Sequence, residues 1–205
     1  MVDHLVYGVP DLGAGTADLE RRLGVRAAGG GRHPGRGTHN ALLGLGGGSY
    51  LEVIAPDPGQ EPPAGPRSFG LDGLAEPRLV AWAVRVTAIE DAVERARRAG
   101  YDPGSIQDRS RARPDGVLLR WRLTDHPPAG PGFPVPFVID WLDTPHPAED
   151  APGGATLLGL SAVHPDPDAV RQALQALGVT VPVERGAAPA LAAELDTPTG
   201  RLVLR

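Results

Sequence analysis

Short apolar runs alternate along this chain with segments that carry an apolar stripe. Residues 3–9 have strand character, and residues 17–23 show the spacing of an amphipathic helix. A similar strand followed by a helix recurs at residues 80–100 and again at residues 157–179. This periodicity predicts one strand-and-helix unit that is repeated along the chain.

The repeats align through one valine in each unit at a constant step of 77 residues: Val9, Val86 and Val163. On this alignment His4 corresponds to Ala81 in the second unit and to Leu158 in the third. A polar residue that only one copy retains is a candidate for chemistry rather than packing. The alternative is a repeat imposed by ordinary folding, in which His4 makes only local hydrogen bonds.

The first unit is predicted to contain a strand, a helix and then two or three strands. Thr16 is the expected helix N-cap, and Gly24 is the expected end of the helix. Residues 29–37 are rich in turn formers. The apolar runs at 40–45 and 50–55 enclose a glycine cluster, and this pattern predicts a β-hairpin.

The second unit is predicted to repeat this pattern, and the third to repeat it in part. Strands are expected at 79–86, 116–123 and 137–142, with a helix at 89–99 and a proline-rich loop at 126–136. The third unit is expected to hold a strand, a helix and two short strands at 157–163, 168–177, 190–195 and 201–204. We therefore expect one integrated domain, divided into a first unit (1–58), a linker or covering loop (59–77), a second unit (78–147) and a partial third unit (155–205).

Composition narrows the classes of function. The 28 glycines and 23 prolines predict many turns and short elements. The formal net charge is −5 and the basic residues are scattered, so we expect no nucleic-acid partner. All 20 basic side chains are arginine and cysteine is absent, which excludes lysine Schiff bases, P-loop lysines and thiolate chemistry. Without an apolar stretch long enough for a signal or a membrane span, a cytoplasmic protein with no membrane partner is expected.

The predicted units contain several short motifs with histidine or carboxylate residues or with turn-forming glycines: Asp3-His4, residues 35–40, Tyr50-Leu51-Glu52, Asp140-Trp141 and His146-Pro147. With these motifs the chain resembles the vicinal oxygen chelate superfamily, and more narrowly its glyoxalase-like domain branch. The resemblance implies an α+β fold, in which repeated βαβββ units form a cupped mixed sheet, here with an abbreviated third βαββ unit.

The resemblance also implies a divalent metal on the concave face, with ligands from the first and last strands of each unit. Carried over residue by residue, it assigns His4 and Glu52 in the first unit, and Asp140 in the second. Ala81, the counterpart of His4, cannot bind a metal. Imidazole and carboxylate ligands suit Zn²⁺, Fe²⁺, Mn²⁺ or Ni²⁺, and three of them leave positions open for substrate and water.

Two residues are candidates for proton transfer. Glu52 shares a strand face with Tyr50 and Ile54, which predicts a pocket, because a carboxylate among apolar side chains must be paired, metal-bound or protonated. The alternative is a salt bridge to an arginine. His39 follows a glycine-rich turn and is either a proton carrier, a substitute for the missing ligand, or a strand-end histidine bonded to a carbonyl.

Asn40, Tyr50, Arg120, Trp141 and His146 complete the predicted site as substrate-binding residues. Arg120 could bind a substrate carboxylate, although a solvated edge is the commoner explanation for arginines that alternate along a strand. His146 either closes the site or begins a loop. His33, His126 and His164 lie beside proline or in loop sequence, and no role is assigned to them.

Two classes of function follow. The first is a metal-assisted isomerase, lyase or dioxygenase acting on a small oxygenated molecule, with His39 or Glu52 moving the proton. The second is a metal-free binding protein that sequesters a small molecule such as an antibiotic. A dimerising module with a vestigial pocket is a weaker third hypothesis. A distance above about 7 Å between the side chains of His4 and Glu52 would exclude the metal site.

Overall fold

The computed structural model describes residues 1–113, 116–125 and 132–205. The elements of the first unit are β1 (Val2–Gly8), α1 (Leu12–Leu23), β2 (Ala28–His33), β3 (Thr38–Gly44) and β4 (Tyr50–Pro56). Those of the second unit are β5 (Arg78–Arg85), α2 (Ile89–Arg98), β6 (Ile106–Ala112), β7 (Leu118–Thr124) and β8 (Phe137–Asp140). Those of the third unit are β9 (Thr156–His164), α3 (Pro167–Ala176), β10 (Val183–Arg185), β11 (Ala190–Thr197) and β12 (Gly200–Leu204). Two short 3₁₀ helices lie at Ser68–Gly73 and Pro147–Glu149.

The first two units share one eight-stranded sheet with the order β2-β3-β4-β1-β5-β8-β7-β6. In each unit the first strand pairs in parallel with the last, and the central strands β1 and β5 pair antiparallel. Each half therefore has the predicted βαβββ form, and the α+β class is confirmed.

The register between β1 and β5 reproduces the repeat found in the sequence. His4 pairs with Ala83, and Val6 pairs with Ala81. The 77-residue step makes Ala81 the counterpart of His4 and Ala83 the counterpart of Val6. Replacing each residue of one pair by its counterpart therefore gives the other pair, as expected for two halves related by a two-fold axis. Small apolar residues of the second unit therefore stand beside His4 and Val6.

The large sheet is strongly curved, and its two edge strands approach each other. Arg111 of β6 donates a hydrogen bond from its guanidinium to the carbonyl oxygen of Gly30 in β2. The convex face carries the main core, with Leu5, Leu51 and Trp82 all buried there. The concave face carries a smaller cluster of its own. The curvature leaves polar side chains enclosed on the concave side.

The third unit forms a separate sheet with the order β10-β9-β11-β12. It has three strands after its helix rather than the two predicted, because the three-residue strand β10 adds to the other two. Its first strand pairs in parallel with the strand that directly follows the helix, which differs from the first two units. The third unit packs on the convex face, and its apolar residues share the main core: Ala162, Val170, Leu174, Leu191, Leu195 and Leu204.

Helix α1 begins earlier than predicted. Its N-cap is Asp11, whose side chain accepts a hydrogen bond from the backbone N–H of Ala14 at 2.7 Å. Thr16 lies inside the helix, where its hydroxyl donates to the carbonyl of Leu12 at 2.8 Å. Thr16 is therefore not the cap. Gly24 ends the helix in the left-handed conformation, as predicted.

Two strands of the large sheet, although implied by the βαβββ form, were not located by the apolar pattern. The glycine-rich β2 occupies part of the segment predicted as a turn. Its pairing with β3 is irregular between Gly29 and Gly31. A Cβ atom on Gly30 would lie 2.1 Å from Oδ1 of Asn40, so the close packing of the two strands requires glycine. The polar edge strand β6 was also missed, because it lacks the apolar alternation of a half-buried strand.

The segment between the first two units covers one end of the concave face. Leu71 and Leu74 of this segment are buried against Val6 and Ile54. The ring of Phe69 stacks on Phe137 with a centroid separation of 6.0 Å. Of the two alternatives, linker or covering loop, the segment is a covering loop.

Within the described ranges, none of the helices combines the length and apolarity needed to cross a lipid bilayer.

Replacing Gly30 with alanine tests the close packing of β2 against β3. We expect Gly30→Ala to lower the free energy of unfolding by about 1–3 kcal/mol, because the new methyl group overpacks against Asn40. Gly159→Ala is the matched control, since this strand glycine has open space around its Cβ position. Urea denaturation would measure both. Equal stability of the two variants would contradict the inferred contact.

Candidate functional site

A bulge near the start of β1 brings two neighbouring side chains together. The pairing with β5 skips a residue between Val2 and His4, so Asp3 is the extra residue. Adjacent side chains of a regular strand point to opposite faces, but a bulge re-aims one of them. Nδ1 of His4 consequently lies 2.6 Å from Oδ1 of Asp3.

Asp3 is fully buried and bound by side chains from both units. Nε2 of His146 lies 2.9 Å from its Oδ2, and the indole N–H of Trp141 donates to the same oxygen at 3.2 Å. Burial alone would raise the pKa of this carboxyl group. The hydrogen bonds from His146 and His4 outweigh burial and hold the pKa well below its usual range. Asp3 is therefore ionised at neutral pH.

His4 faces Glu52 with its other ring nitrogen. Nε2 of His4 lies 3.8 Å from Oε2 of Glu52. The imidazole stacks on Tyr50 with a centroid separation of 4.7 Å, and Phe137 contacts it edge-on at 5.4 Å. When Nδ1–H donates to Asp3, the unprotonated Nε2 points at Glu52. Both facing atoms are then hydrogen-bond acceptors, so a donor placed between them, such as a ligand hydroxyl group, can bind to either one.

The second oxygen of Glu52 is held by residues of β2 and β3. The amide Nδ2 of Asn40 donates to Oε1 of Glu52 at 2.6 Å. Nε2 of His33 lies 3.8 Å from the same oxygen, while Nδ1 of His33 lies 2.9 Å from the Thr38 hydroxyl. Burial lowers the pKa of His33, and the negative charge of Glu52 offsets part of this effect. Glu52 thus lies between two imidazoles, with its orientation fixed by an amide.

The structure brings His4, Glu52, Asn40 and Tyr50 together, and these are four of the predicted site residues. Trp141 and His146 lie close by, but their polar atoms bind Asp3 instead of facing Glu52. Tyr50 packs with the apolar cluster of the concave face, and burial, followed by the charges of Asp3 and Glu52, raises its pKa well above the usual value.

Three of the predicted site residues, Asp140, Arg120 and His39, lie on the convex face of the sheet. In β8, Ile139 packs on the concave face, so the neighbouring Asp140 points away from His4. The carboxylate of Asp140 accepts instead from the backbone N–H of Leu142 at 3.0 Å. Arg120 is exposed and adjoins Trp121, which packs against the concave cluster.

His39 also lies on the convex side. It pairs in register with Ala55, which belongs to the main core, while the next residue, Asn40, reaches Glu52. The structure thus places His33, to which no role was assigned, beside Glu52 in place of His39. His126 lies outside the described residues.

The donor atoms do not fit a resident metal held by three protein side chains. In the part of the chain that the structure describes, no group of three or more histidine, aspartate and glutamate side chains could hold an ion. His4 and Glu52 are close enough to share one, but Asp140 is turned away. Ala81, the counterpart of His4, and Phe137, the counterpart of Glu52, stand where the second unit would supply ligands. The site has two suitable donors where catalytic zinc sites use three.

Two residues of the site escaped prediction. Asp3 was recognised only as part of a motif, because a β-bulge leaves no clear signal in the sequence. His33 ends a run of three glycines, and such a run is a signal for close backbone approach that could have drawn attention to it.

Comparison with known proteins gives a family match and a similarity of fold. A family model described as "Glyoxalase-like domain" matches residues 2–178. A hypothetical protein from Staphylococcus aureus superposes with a TM-score of 0.66 at 12% identity, covering 98% of this chain and 83% of its own. Methylmalonyl-CoA epimerase from Mycobacterium tuberculosis gives a TM-score of 0.44 at 17% identity, covering 70% of this chain and 88% of its own. None of the curated proteins matches the sequence.

Asp3→Asn tests the buried carboxylate through the pH dependence of stability. Because the pKa of Asp3 is depressed in the folded state, its contribution is complete above the unfolded-state pKa of about 3.9 and is lost as the pH falls below it. We expect the variant to be less stable by about 1–3 kcal/mol at pH 7, with the difference shrinking below about pH 4. Urea denaturation at several pH values measures this effect, with the exposed Asp143→Asn as control. A difference independent of pH would contradict the ionised state of Asp3.

Proposed function

Because the chain belongs to the glyoxalase-like domain family, we propose that it is an enzyme that isomerises or cleaves a small oxygenated molecule by proton transfer. The proposal is carried by one observation: Nε2 of His4 faces Oε2 of Glu52 at 3.8 Å while Asp3 holds the opposite side of the imidazole. Such a chain of carboxylate, imidazole and carboxylate is suited to accept a proton and return it.

Each residue of the pair has a distinct task in this proposal. Glu52 takes the proton from a carbon atom beside a substrate carbonyl group. The C–H bond breaks, an O–H bond forms on Glu52, and the electron pair moves onto the carbonyl oxygen to give an enolate. His4 shares the proton through Nε2, and the proton then returns to a substrate carbon. Asn40 keeps the carboxylate oriented through Oε1.

A divalent ion at the same place is the second candidate, and the 3.8 Å separation between His4 and Glu52 favours it. Ligand atoms at about 2.0–2.2 Å from one ion can lie at such a separation. Bound Zn²⁺, Fe²⁺, Mn²⁺ or Ni²⁺ would supply Lewis-acid polarisation of two neighbouring oxygens. The described side chains do not complete a set of three ligands, so the proton transfer is assigned to the protein's own groups.

A metal-free binding protein is the third candidate, and the apolar second half of the concave face favours it. Ala83 and Phe137 line the side of the site opposite the polar residues of the first unit. Such a wall suits the apolar part of a ligand and contributes no reacting group. Binding without proton transfer separates this candidate from the enzyme.

Exchange of carbon-bound hydrogen tests the proposed reaction. The protein would be incubated in D₂O with dihydroxyacetone and with pyruvate, and the loss of the C–H signal beside the carbonyl group would be followed by proton NMR. We expect exchange by the wild type and a loss of at least about 100-fold in Glu52→Gln and His4→Gln, as is typical when a general acid or base is removed. His164→Gln is the control.

A wild type that exchanges neither compound faster than buffer would favour the binding protein. If Glu52→Gln still catalysed the exchange and His39→Gln did not, the reacting group would be assigned to the convex face of the sheet. Each variant would be checked by circular dichroism, so that a loss of fold is not taken for a loss of chemistry.

Metal analysis separates the two enzyme candidates. We expect protein purified without chelator to contain divalent metal well below one equivalent, and EDTA treatment to leave the exchange rate unchanged. The reason is that the described residues provide two donors rather than three. A full equivalent of metal that is lost in both His4→Ala and Glu52→Ala would overturn this expectation and establish the metal site.

A further inference from the structure

Arg111 of β6 is a buried cation that the proposed reaction does not use. It is only 5% exposed. It pairs in register with Leu119, two residues before Trp121, whose ring packs against the concave cluster. Since alternate residues of a strand share a face, Arg111 lies on the concave side of the sheet.

The guanidinium of Arg111 has no anionic partner among the described residues. Its one hydrogen bond there runs from Nη1 to the carbonyl oxygen of Gly30. No carboxylate oxygen in the described ranges lies within 4.0 Å of its nitrogens, in contrast to Arg113 and Arg122, which pair with Asp150 and Glu90. A buried charge without a partner is unfavourable. The arrangement therefore favours binding of an anionic ligand group to the guanidinium of Arg111.

Arg111 is directly connected to the proposed site through Gly30. A Cβ atom on Gly30 would lie 2.1 Å from Oδ1 of Asn40, so the carbonyl that binds Arg111 belongs to a residue in contact with Asn40. Asn40 in turn donates to Glu52. The glycines also allow this approach, because a Cβ atom on Gly31 would lie 2.9 Å from Nη1 of Arg111.

Electrostatics agrees with this placement. Burial lowers the pKa of Arg111, and the charges of Glu52 and then Tyr50 partly offset that effect. The positive charge of Arg111 in turn lowers the pKa of His33. Arg111 therefore shares one electrostatic environment with the residues around Glu52, and it remains a cation, as arginine does in proteins.

We propose that Arg111 binds a carboxylate group of the substrate, and that the substrate class is the small 2-hydroxy and 2-oxo carboxylic acids. A guanidinium presents parallel N–H donors that match the two oxygens of a carboxylate. With the carboxylate at Arg111, the neighbouring oxygenated carbon lies toward Asn40 and Glu52. This inference rests on the proposed function, because it names the substrate class of the same site.

Lactate and its neutral amide, lactamide, form a matched pair of probes. Binding would be measured at pH 7 by titration of each probe into ¹⁵N-labelled protein, with amide chemical shifts as the readout. We expect wild-type protein to bind lactate at least tenfold more tightly than lactamide. Arg111→Met should weaken lactate binding at least tenfold, Arg111→Lys should recover part of it, and the exposed Arg98→Met should stay within twofold of wild type.

The Glu52→Gln variant separates this inference from the proposed reaction. This substitution removes the proposed base, and it also removes a negative charge near the anion site. We therefore expect its affinity for lactate to equal or exceed that of the wild type. Lactate binding to Glu52→Gln without hydrogen exchange by the wild type would support the anion site and reject the reaction.

Three results would overturn the proposal: no lactate binding by the wild type, equal binding of lactate and lactamide, or an Arg111→Met affinity equal to that of Arg98→Met. Arg111 also links β6 to β2, so folding of Arg111→Met would be checked by thermal unfolding. If that variant does not fold, the proposal is tested by comparing the affinities for lactate and lactamide on the wild type and on Arg111→Lys. A preference for lactate below tenfold on both proteins rejects the proposal.

Discussion

The buried carboxylate of Asp3 is the constraint on which the organisation of this site depends. A fully buried carboxylate is costly unless several donors surround it, and here His4, His146 and Trp141 do so. The bulge in β1 turns Asp3 toward these donors. Because the carboxylate of Asp3 is hydrogen-bonded to Nδ1 of His4, the other ring nitrogen, Nε2, is directed at Glu52. One anion thus sets the orientation of the imidazole and joins two distant parts of the chain.

Much of the fold could be predicted because apolar periodicity records which elements are buried. The 77-residue step is seen again in the register of His4 with Ala83 and of Val6 with Ala81. What escaped prediction lacked that signal. Strand β2 is mostly glycine, β6 is polar along an edge, and β10 has three residues. The family match over residues 2–178 confirms the resemblance that the short motifs indicated.

The site was predictable as far as it depends on regular strands. His4 and Glu52 were expected to be neighbours, and the structure places them so. Faces were harder to assign, since a shift of one residue reverses every side chain of a strand. Asp140, Arg120 and His39 therefore lie on the opposite face from the one their chemistry suggested. Arg111 belongs to a strand that the sequence did not reveal.

The surroundings of Asp3 show that the two copies of the βαβββ unit have different roles. The first unit provides the imidazole and the carboxylate that face each other, whereas the second provides the indole and the imidazole that hold Asp3 in place. Trp141 lies 138 residues from the anion that it binds. The two copies have thereby become non-interchangeable: a chain built from two first units would duplicate the reactive pair and lose the donors that hold Asp3.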